Sequence, residues 1–341
     1  MIDLTNYGFV PNMASDAKSI PARVTAAHKD RYEIVCERGQ IFAKLKTSVY
    51  YGKNEENFPT TGDFVLIDHI FGGDALIVKT LERKSLFSRL EPGPIPREQA
   101  IAANFDYVFI MASLNHDFNL RRIERYLALA NQSGGIPVVV LTKADLVDDF
   151  SRQAGEIERI AAGAAAYAVS AITGLGLDSL AKYLKPGKTI AFMGSSGVGK
   201  SSLVNALAGE DIMAVNVMRN VDASKGRHTT THRQLIMLSC GAMIIDTPGM
   251  RELAMTGASD NLSETFGDVE RYLGRCKFSD CKHQSEPGCA VKSAIESGEL
   301  SGERWESYLR LNREAEISAK RLAPKKVRRI KERGGAIYDE R

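Results

Sequence analysis

The chain has 341 residues, 26% of them charged and 44% hydrophobic, with a formal net charge of +3. That length exceeds one compact core and suits two or three domains, and so small a net charge says little about partners. No apolar run approaches the ~18 residues of a membrane span, and Met1-Ile2-Asp3-Leu4-Thr5-Asn6 has neither the basic nor the apolar region of a signal peptide. Cys276, Cys281 and Cys289 lie close together among only five cysteines, which points to a reducing cytoplasm and a metal site rather than disulfides.

Residues 1 to about 16 are polar and irregular and are expected to form a loose tail. Residues about 17 to 90 carry short, part-alternating apolar runs, among them Tyr32-Glu33-Ile34-Val35-Cys36 and Phe64-Val65-Leu66-Ile67. Turn residues such as Arg38-Gly39 and Thr61-Gly62-Asp63 separate them. Five or so such strands suit a small barrel, an OB-type barrel above all, with an SH3-like barrel as the alternative. Glu91-Pro92-Gly93-Pro94-Ile95-Pro96 reads as a stiff linker.

After the linker, strand and helix patterns alternate. Strands are expected over 105–111, 136–141, 166–169 and 189–193, and helices over 120–131 and 151–162. A hairpin is expected from 234–238 and 242–245. The expectation is a doubly wound α/β domain with a mostly parallel sheet. The last 80 residues hold a Cys/His cluster, a helix from about Glu303 to Leu322, and a tail with eight basic residues and one acid between Lys320 and Arg333.

Gly194-Ser195-Ser196-Gly197-Val198-Gly199-Lys200-Ser201 fits G-x-x-x-x-G-K-[ST] between a strand and a helix start at Ser202. In that context the glycines let backbone N–H groups turn inward around phosphates, and the helix N-terminus adds partial positive charge. Lys200 is placed to reach the β- and γ-phosphates, and the Ser201 hydroxyl to ligate Mg²⁺. Ile244-Ile245-Asp246-Thr247-Pro248-Gly249 ends a strand in D-x-P-G: Asp246 can hold Mg²⁺ through water, and the Gly249 N–H can approach the γ-phosphate. Thr142-Lys143-Ala144-Asp145 closes another strand. The Asp145 carboxylate can accept from the N1–H and the amine of guanine, which adenine cannot supply, while the Lys143 stem lies across the base. Ser170-Ala171 ends a further strand and offers the Ala171 N–H to guanine O6.

These are the elements of a Ras-like GTPase in rotated order, the base-reading loops preceding the P-loop. With the barrel before them and the Cys/His cluster after them, residues about 20 to 330 resemble the ribosome small-subunit-dependent GTPase A (RsgA, also YjeQ) family of circularly permuted GTPases. Gly226-Arg227-His228-Thr229-Thr230-Thr231 resembles the family's switch I, which implies that Thr230 or Thr231 contacts Mg²⁺ and the γ-phosphate. Thr142 stands where GTPases usually carry Asn, which leads to an expectation of weaker nucleotide binding. Met250 stands where Ras-like enzymes use a Gln to orient water, so hydrolysis should be slow unaided. His228 beside the switch threonines is the candidate to position that water, with a solvent-facing loop histidine as the alternative; His228 and Lys200 are the candidate catalytic residues.

Cys276-x4-Cys281-x-His283-x5-Cys289 supplies three thiolates and an imidazole, a donor set for one closed, structural zinc. The resemblance implies that this module touches the ribosome as well, and the basic tail can bind RNA phosphates. The expected organisation is thus 1–90 tail and OB-type barrel, 97–258 circularly permuted GTPase domain, and 259–341 zinc-binding, mainly helical module. The expected activity is hydrolysis of Mg²⁺-bound GTP to GDP and phosphate during late maturation of the 30S subunit, stimulated by that particle. The expected partners are the 30S subunit and 16S rRNA, with a cytoplasmic monomer and no membrane. The rival readings are an RNA-binding assembly protein that uses GTP as a structural ligand, and a P-loop ATPase of unrelated role.

Overall fold

The computed structural model describes residues 1–13, 19–50, 58–68, 73–90, 98–115, 118–161, 163–213, 233–246 and 262–322. Five N-terminal strands come first: β1 (Ile20–Ala27), β2 (Tyr32–Cys36), β3 (Gly39–Leu45), β4 (Phe64–Asp68) and β5 (Ala75–Thr80), with the short helix α1 (Thr47–Tyr50) after β3. β1 pairs antiparallel with β2 and with β4, β2 with β3 and β4 with β5, and β3 runs parallel to β5. The order 1-2-3-5-4-1 closes the sheet on itself, the OB-type solution that leaves no free edge within the barrel. Alternate inward side chains, among them Ala22, Val24, Ile34, Ala43, Val65 and Ile77, fill its interior.

The first residues pack onto this barrel, contrary to the loose tail the polar composition suggested. Leu4 is buried, the Ile2 N–H donates to the Glu37 carbonyl, and the Phe9 ring lies 5.6 Å from that of Phe64. The apolar anchors are spaced too widely to register as a pattern in the sequence.

β6 (Leu86–Leu90) and β7 (Glu98–Ala103) pair antiparallel across the Pro-rich stretch, which itself lies outside the described residues. The α/β sheet follows: β8 (Tyr107–Ser113), α2 (Leu120–Gln132), β9 (Ile136–Thr142), α3 (Ser151–Ile160), β10 (Ala165–Ala168), β11 (Thr189–Gly194), α4 (Lys200–Ala208), β12 (Gln234–Met237) and β13 (Met243–Asp246). Strand order is 10-9-8-11-13-12, parallel except for β12, which forms the expected hairpin with β13. Both faces are covered, so the strands read as unbroken apolar runs. Val139, Leu141, Ala191 and Met193 face the side of α2 and α3, whereas Val138, Val140, Ile190 and Phe192 face the side of α4. α2 presents Ile123, Tyr126, Leu127 and Ala130 at helical spacing to the first of these layers.

Barrel and sheet meet at Ala26, which pairs with Gln234. The Arg23 side chain is sealed at this junction, its residue only 1% exposed. It donates to the carbonyls of Tyr7, Gly62 and Asn104 and to Thr189 Oγ1, the last at 3.0 Å. Burial lowers its pKa to about 10, against the pull of Asp106 and Asp63, so the guanidinium stays charged at neutral pH. Gly62 approaches so closely that a Cβ would sit 2.1 Å from the Ala103 carbonyl oxygen, and its φ of +94° also favours glycine.

α5 (Ser263–Glu270), α6 (Ala290–Glu296) and α7 (Gly302–Leu322) complete the described chain. Val291, Ala294, Leu300, Tyr308, Leu311 and Ala315 join the core on the α2 face of the sheet. Among the described residues no helix is long and apolar enough to cross a membrane.

Candidate nucleotide site and metal centre

The parallel register brings the carboxyl ends of β8, β9, β11 and β13 to one edge, where open α/β sheets bind ligands. Ser113 lies opposite Thr142 and Gly194 opposite Met111. Between β11 and α4 the chain turns through Gly197 and Gly199, with φ of +76° and +101°, a conformation that favours glycine. α4 starts at Lys200, so its unpaired N–H groups face the turn.

Lys200 Nζ contacts Asp246 Oδ1. The carboxylate is buried and the ammonium about a third exposed. The cation assigned to phosphate and the anion assigned to Mg²⁺ therefore occupy one spot at the sheet edge. Ser201 and Ser202, in the first turn of α4, are half-buried.

The 142–145 loop is tied directly to the P-loop. Thr142 Oγ1 donates to the Val198 carbonyl at 2.6 Å, and Lys143 Nζ donates to the Gly197 carbonyl at 2.8 Å. Lys143 takes φ +60°, which aims its stem across the gap between the loops. Thr142 is 4% exposed. Its hydroxyl thus acts as a tether on the phosphate loop, a task that a hydroxyl performs as well as an amide. The Asp145 carboxylate is exposed and has no hydrogen bond or ion pair among the described residues.

Ser170 is buried, and its hydroxyl accepts from the N–H groups of Ile172 and Thr173 at 3.2 Å. It shapes the 170–174 turn and leaves the Ala171 N–H uncommitted among the described residues. The Ala144 N–H donates to the Val169 carbonyl, joining the two loops. Ser195, Arg122, Arg125 and Tyr126 line a cavity of about 290 Å³ between the P-loop and α2. Thr230, Thr231, His228, Gly249 and Met250 lie outside the described residues.

Sequence reasoning missed Asn205. Its buried amide donates to the Met213 carbonyl and accepts from the Met213 N–H, both at 2.8 Å, fixing the chain as it leaves α4. The available signal was an amide inside the otherwise apolar run Leu203-Val204-Asn205-Ala206-Leu207.

At the other end of the chain, one donor atom each from Cys276, Cys281, His283 and Cys289 lies within 4.8 Å of all the others. His283 Nδ1 is 3.4 Å from the Sγ atoms of Cys276 and Cys289 and 3.7 Å from that of Cys281; Cys276 and Cys289 Sγ are 4.0 Å apart. A tetrahedral ion with metal–sulfur bonds of about 2.3 Å spaces its ligands about 3.5–3.8 Å apart, so the four residues fit one. His283 takes φ +60°, an uncommon backbone for a residue with a Cβ. Glu286 organises the loop between ligands. Its carboxylate accepts from the N–H groups of Lys282, Gln284 and Ser285, and these bonds with its own N–H hold its pKa down to about 2.

A permuted strand order and a P-loop after the central strand, with the 142–145 loop hydrogen-bonded both to that P-loop and to the end of β10, are the arrangement of a circularly permuted GTPase. The sequence model of the RsgA GTPase family matches residues 80–256. "Small ribosomal subunit biogenesis GTPase RsgA 2" of Listeria monocytogenes serotype 4b (strain F2365) is 44% identical over 338 residues, covering 98% of this chain and 95% of the relative. Among solved structures, YjeQ from Thermotoga maritima superposes with a TM-score of 0.64 at 29% identity, over 87% of this chain and 98% of that one. YloQ, described as a circularly permuted GTPase, gives a TM-score of 0.60 at 25% identity, over 89% and 97%. The chain belongs to the RsgA GTPase family and is a GTP hydrolase.

The tether at Thr142 carries a first prediction. Thr142→Val keeps the shape but leaves the buried Val198 carbonyl without its donor, a loss of about 1–3 kcal/mol. Affinity for a fluorescent GDP analogue should fall about tenfold, while Thr142→Asn, which restores a donor, should bind as the parent does. Equal affinity for all three proteins in the same titration would remove the tether from the site.

Proposed function

We propose that this protein is a GTPase of small ribosomal subunit biogenesis that binds the 30S particle in its GTP form and leaves after hydrolysis. The observation that supports this best is that a relative of that name is 44% identical over nearly the whole chain, a match that spans the stretches forming the barrel, the permuted GTPase fold and the Cys/His cluster. In this reading Gly194, Ser195, Ser196, Gly197, Val198, Gly199, Lys200, Ser201 and Ser202 cradle the phosphates. Thr142, Lys143, Ala144, Asp145, Ser170 and Ala171 form the guanine site. Ser201, Asp246 and the switch threonines Thr230 and Thr231 serve Mg²⁺, with Gly249 at the γ-phosphate. One zinc occupies the Cys/His cluster. The parts divide at about residues 90–97 and 258, and the protein works as a cytoplasmic monomer whose barrel and zinc module contact 16S rRNA.

Met250 cannot orient water, so the active constellation is completed from elsewhere: by His228 in a reordered switch loop or by a group from the particle. Outside completion in other GTPases raises turnover by ~10³–10⁵. GTP turnover should therefore rise by orders of magnitude when purified small subunits are added at low salt, and the gain should shrink steeply as salt rises, because contacts with RNA phosphates release counterions. Turnover that is the same with and without subunits at low salt would leave a permuted GTPase with no ribosomal role. Measurable turnover itself separates this reading from an assembly protein that holds GTP only as a structural ligand.

A further inference from the structure

One ion pair between α2 and α7 is far more buried than a surface contact requires. Arg304 lies in the first turn of α7 with its side chain 7% exposed, and the Glu124 side chain on α2 is 4% exposed. Arg304 Nη1 donates to Glu124 Oε1 at 2.8 Å, while its Nε and Nη2 hold both oxygens of Asp268 on α5 at 3.0 Å. The guanidinium also donates to the Thr265 carbonyl and stacks over the Phe266 ring at 4.2 Å. Two further pairs run between the same helices, Arg121 with Glu306 and Arg125 with Glu314.

Each end of this assembly reaches a site. Trp305, next to Arg304, sets its ring edge-on to the ring of His283 at 5.5 Å, and lies against Tyr308, which meets Phe266. On the other side, Arg125 and Tyr126, next to Glu124, line with Arg122 and with Ser195 of the P-loop an open cavity. Residues in contact or adjacent in the chain thus link a metal ligand, through Trp305 and Arg304, to Glu124 and the α2 side of the cavity that faces Ser195.

We propose that Glu124 and Arg304 are positioning residues for GTP turnover, fixing where α2 stands across the cavity from the P-loop only while the metal-ordered α7 is seated. The inference rests on the chain turning over GTP. The buried carboxylate lies one residue from Arg125 and two from Tyr126, which line the cavity facing the P-loop. Burying an ion pair is often no more stabilising than an apolar contact, and fixing one arrangement is its better-attested use. The seat of α7 in turn depends on its first turn, where Trp305 touches the ligand cluster.

The test compares full-length protein, Glu124→Ala, and Glu124→Gln as the conservative variant that keeps an acceptor for Arg304. Arg304 retains Asp268 and Thr265 in both, so its charge is not stranded. Basal kcat and KM for GTP are measured before and after metal removal with a chelator, alongside thermal midpoint and Trp305 fluorescence. In the parent, metal removal should lower kcat about tenfold, within the range of coupling carried between sites through packed side chains. E124A should show a similar loss in kcat with KM little changed, and chelation should take nothing further from it; E124Q should recover most of the rate. A parent whose kcat ignores the chelator overturns the inference, as does a folded E124A with parental kcat, or one that loses the full factor again on chelation. Should E124A fail to fold, Arg304→Lys carries the same comparisons, since it keeps the charge but cannot span Glu124 and Asp268 together. Absence of turnover in the parent would instead strike at the GTPase reading.

Discussion

Asp145→Asn should turn the base site from guanine towards xanthine. The carboxylate is exposed, has no partner among the described residues, and lies two positions after Lys143, whose amine already grips the P-loop carbonyl of Gly197. Removing its charge therefore disturbs no bond that holds the protein together. What it removes is acceptance from the N1–H and the exocyclic amine of guanine. Hydrogen bonds to a charged group contribute about 1.5–3 kcal/mol each, so GTP affinity should fall at least ~100-fold. Xanthosine triphosphate carries an acceptor where guanine has its amine, and the new amide can donate to it, so that nucleotide should bind the variant better than the parent. Competition between GTP, xanthosine triphosphate and ATP measures both arms. Unaltered GTP affinity and preference in the variant would show that another group reads the base.

The parts of this protein that were legible in the sequence are those whose signal is local. A P-loop is eight consecutive residues between a strand and a helix, and its backbone geometry needs the glycines at Gly197 and Gly199. The Cys/His ligands fall within 14 positions of each other, because short loops close a tetrahedral cluster. Parallel strands buried on both faces announce themselves as apolar runs, whereas the order 10-9-8-11-13-12 comes from pairings between distant strands. The barrel was legible as strands and turns, whereas its closure by β1 against β4 joins residues more than 40 apart.

What stayed hidden depends on distance in the chain. Arg23 looks like any charged residue in an alternating strand, yet it is sealed where Thr189 and Met243, some 166 and 220 positions away, come together. Glu124 and Arg304 each occupy an ordinary amphipathic helix, where a charge usually faces solvent, and only the fold sets them opposite each other. Thr142 was legible by its place before Lys143 and Asp145, but not the bond of its hydroxyl to the Val198 carbonyl, 56 positions away.

Metal removal should have the largest structural effect. Protein purified without added metal should carry about one zinc per chain, since three thiolates and an imidazole at the observed spacing suit that ion. The ligand segment between Cys276 and Cys289 holds no regular helix or strand and is organised by its ligands and the Glu286 loop. Structural zinc sites in small modules contribute on the order of 10 kcal/mol of folding free energy at pH 7, so this segment should come apart on chelation. Val291, Ala294, Leu311 and Ala315 remain in the main core, which confines the loss to the ligand loop and the first turn of α7. The protein's single tryptophan reports the event, because Trp305 lies edge-on to His283: its emission should shift on chelation and return on adding zinc. Cys276→Ser should lose the zinc and show the shifted emission from the start. Because the thiols and imidazole must shed protons to bind the ion, zinc occupancy should fall as pH drops, not as it rises. A chain that is free of zinc as purified, with unshifted emission and a full thermal midpoint, would show that this cluster holds its shape by packing alone.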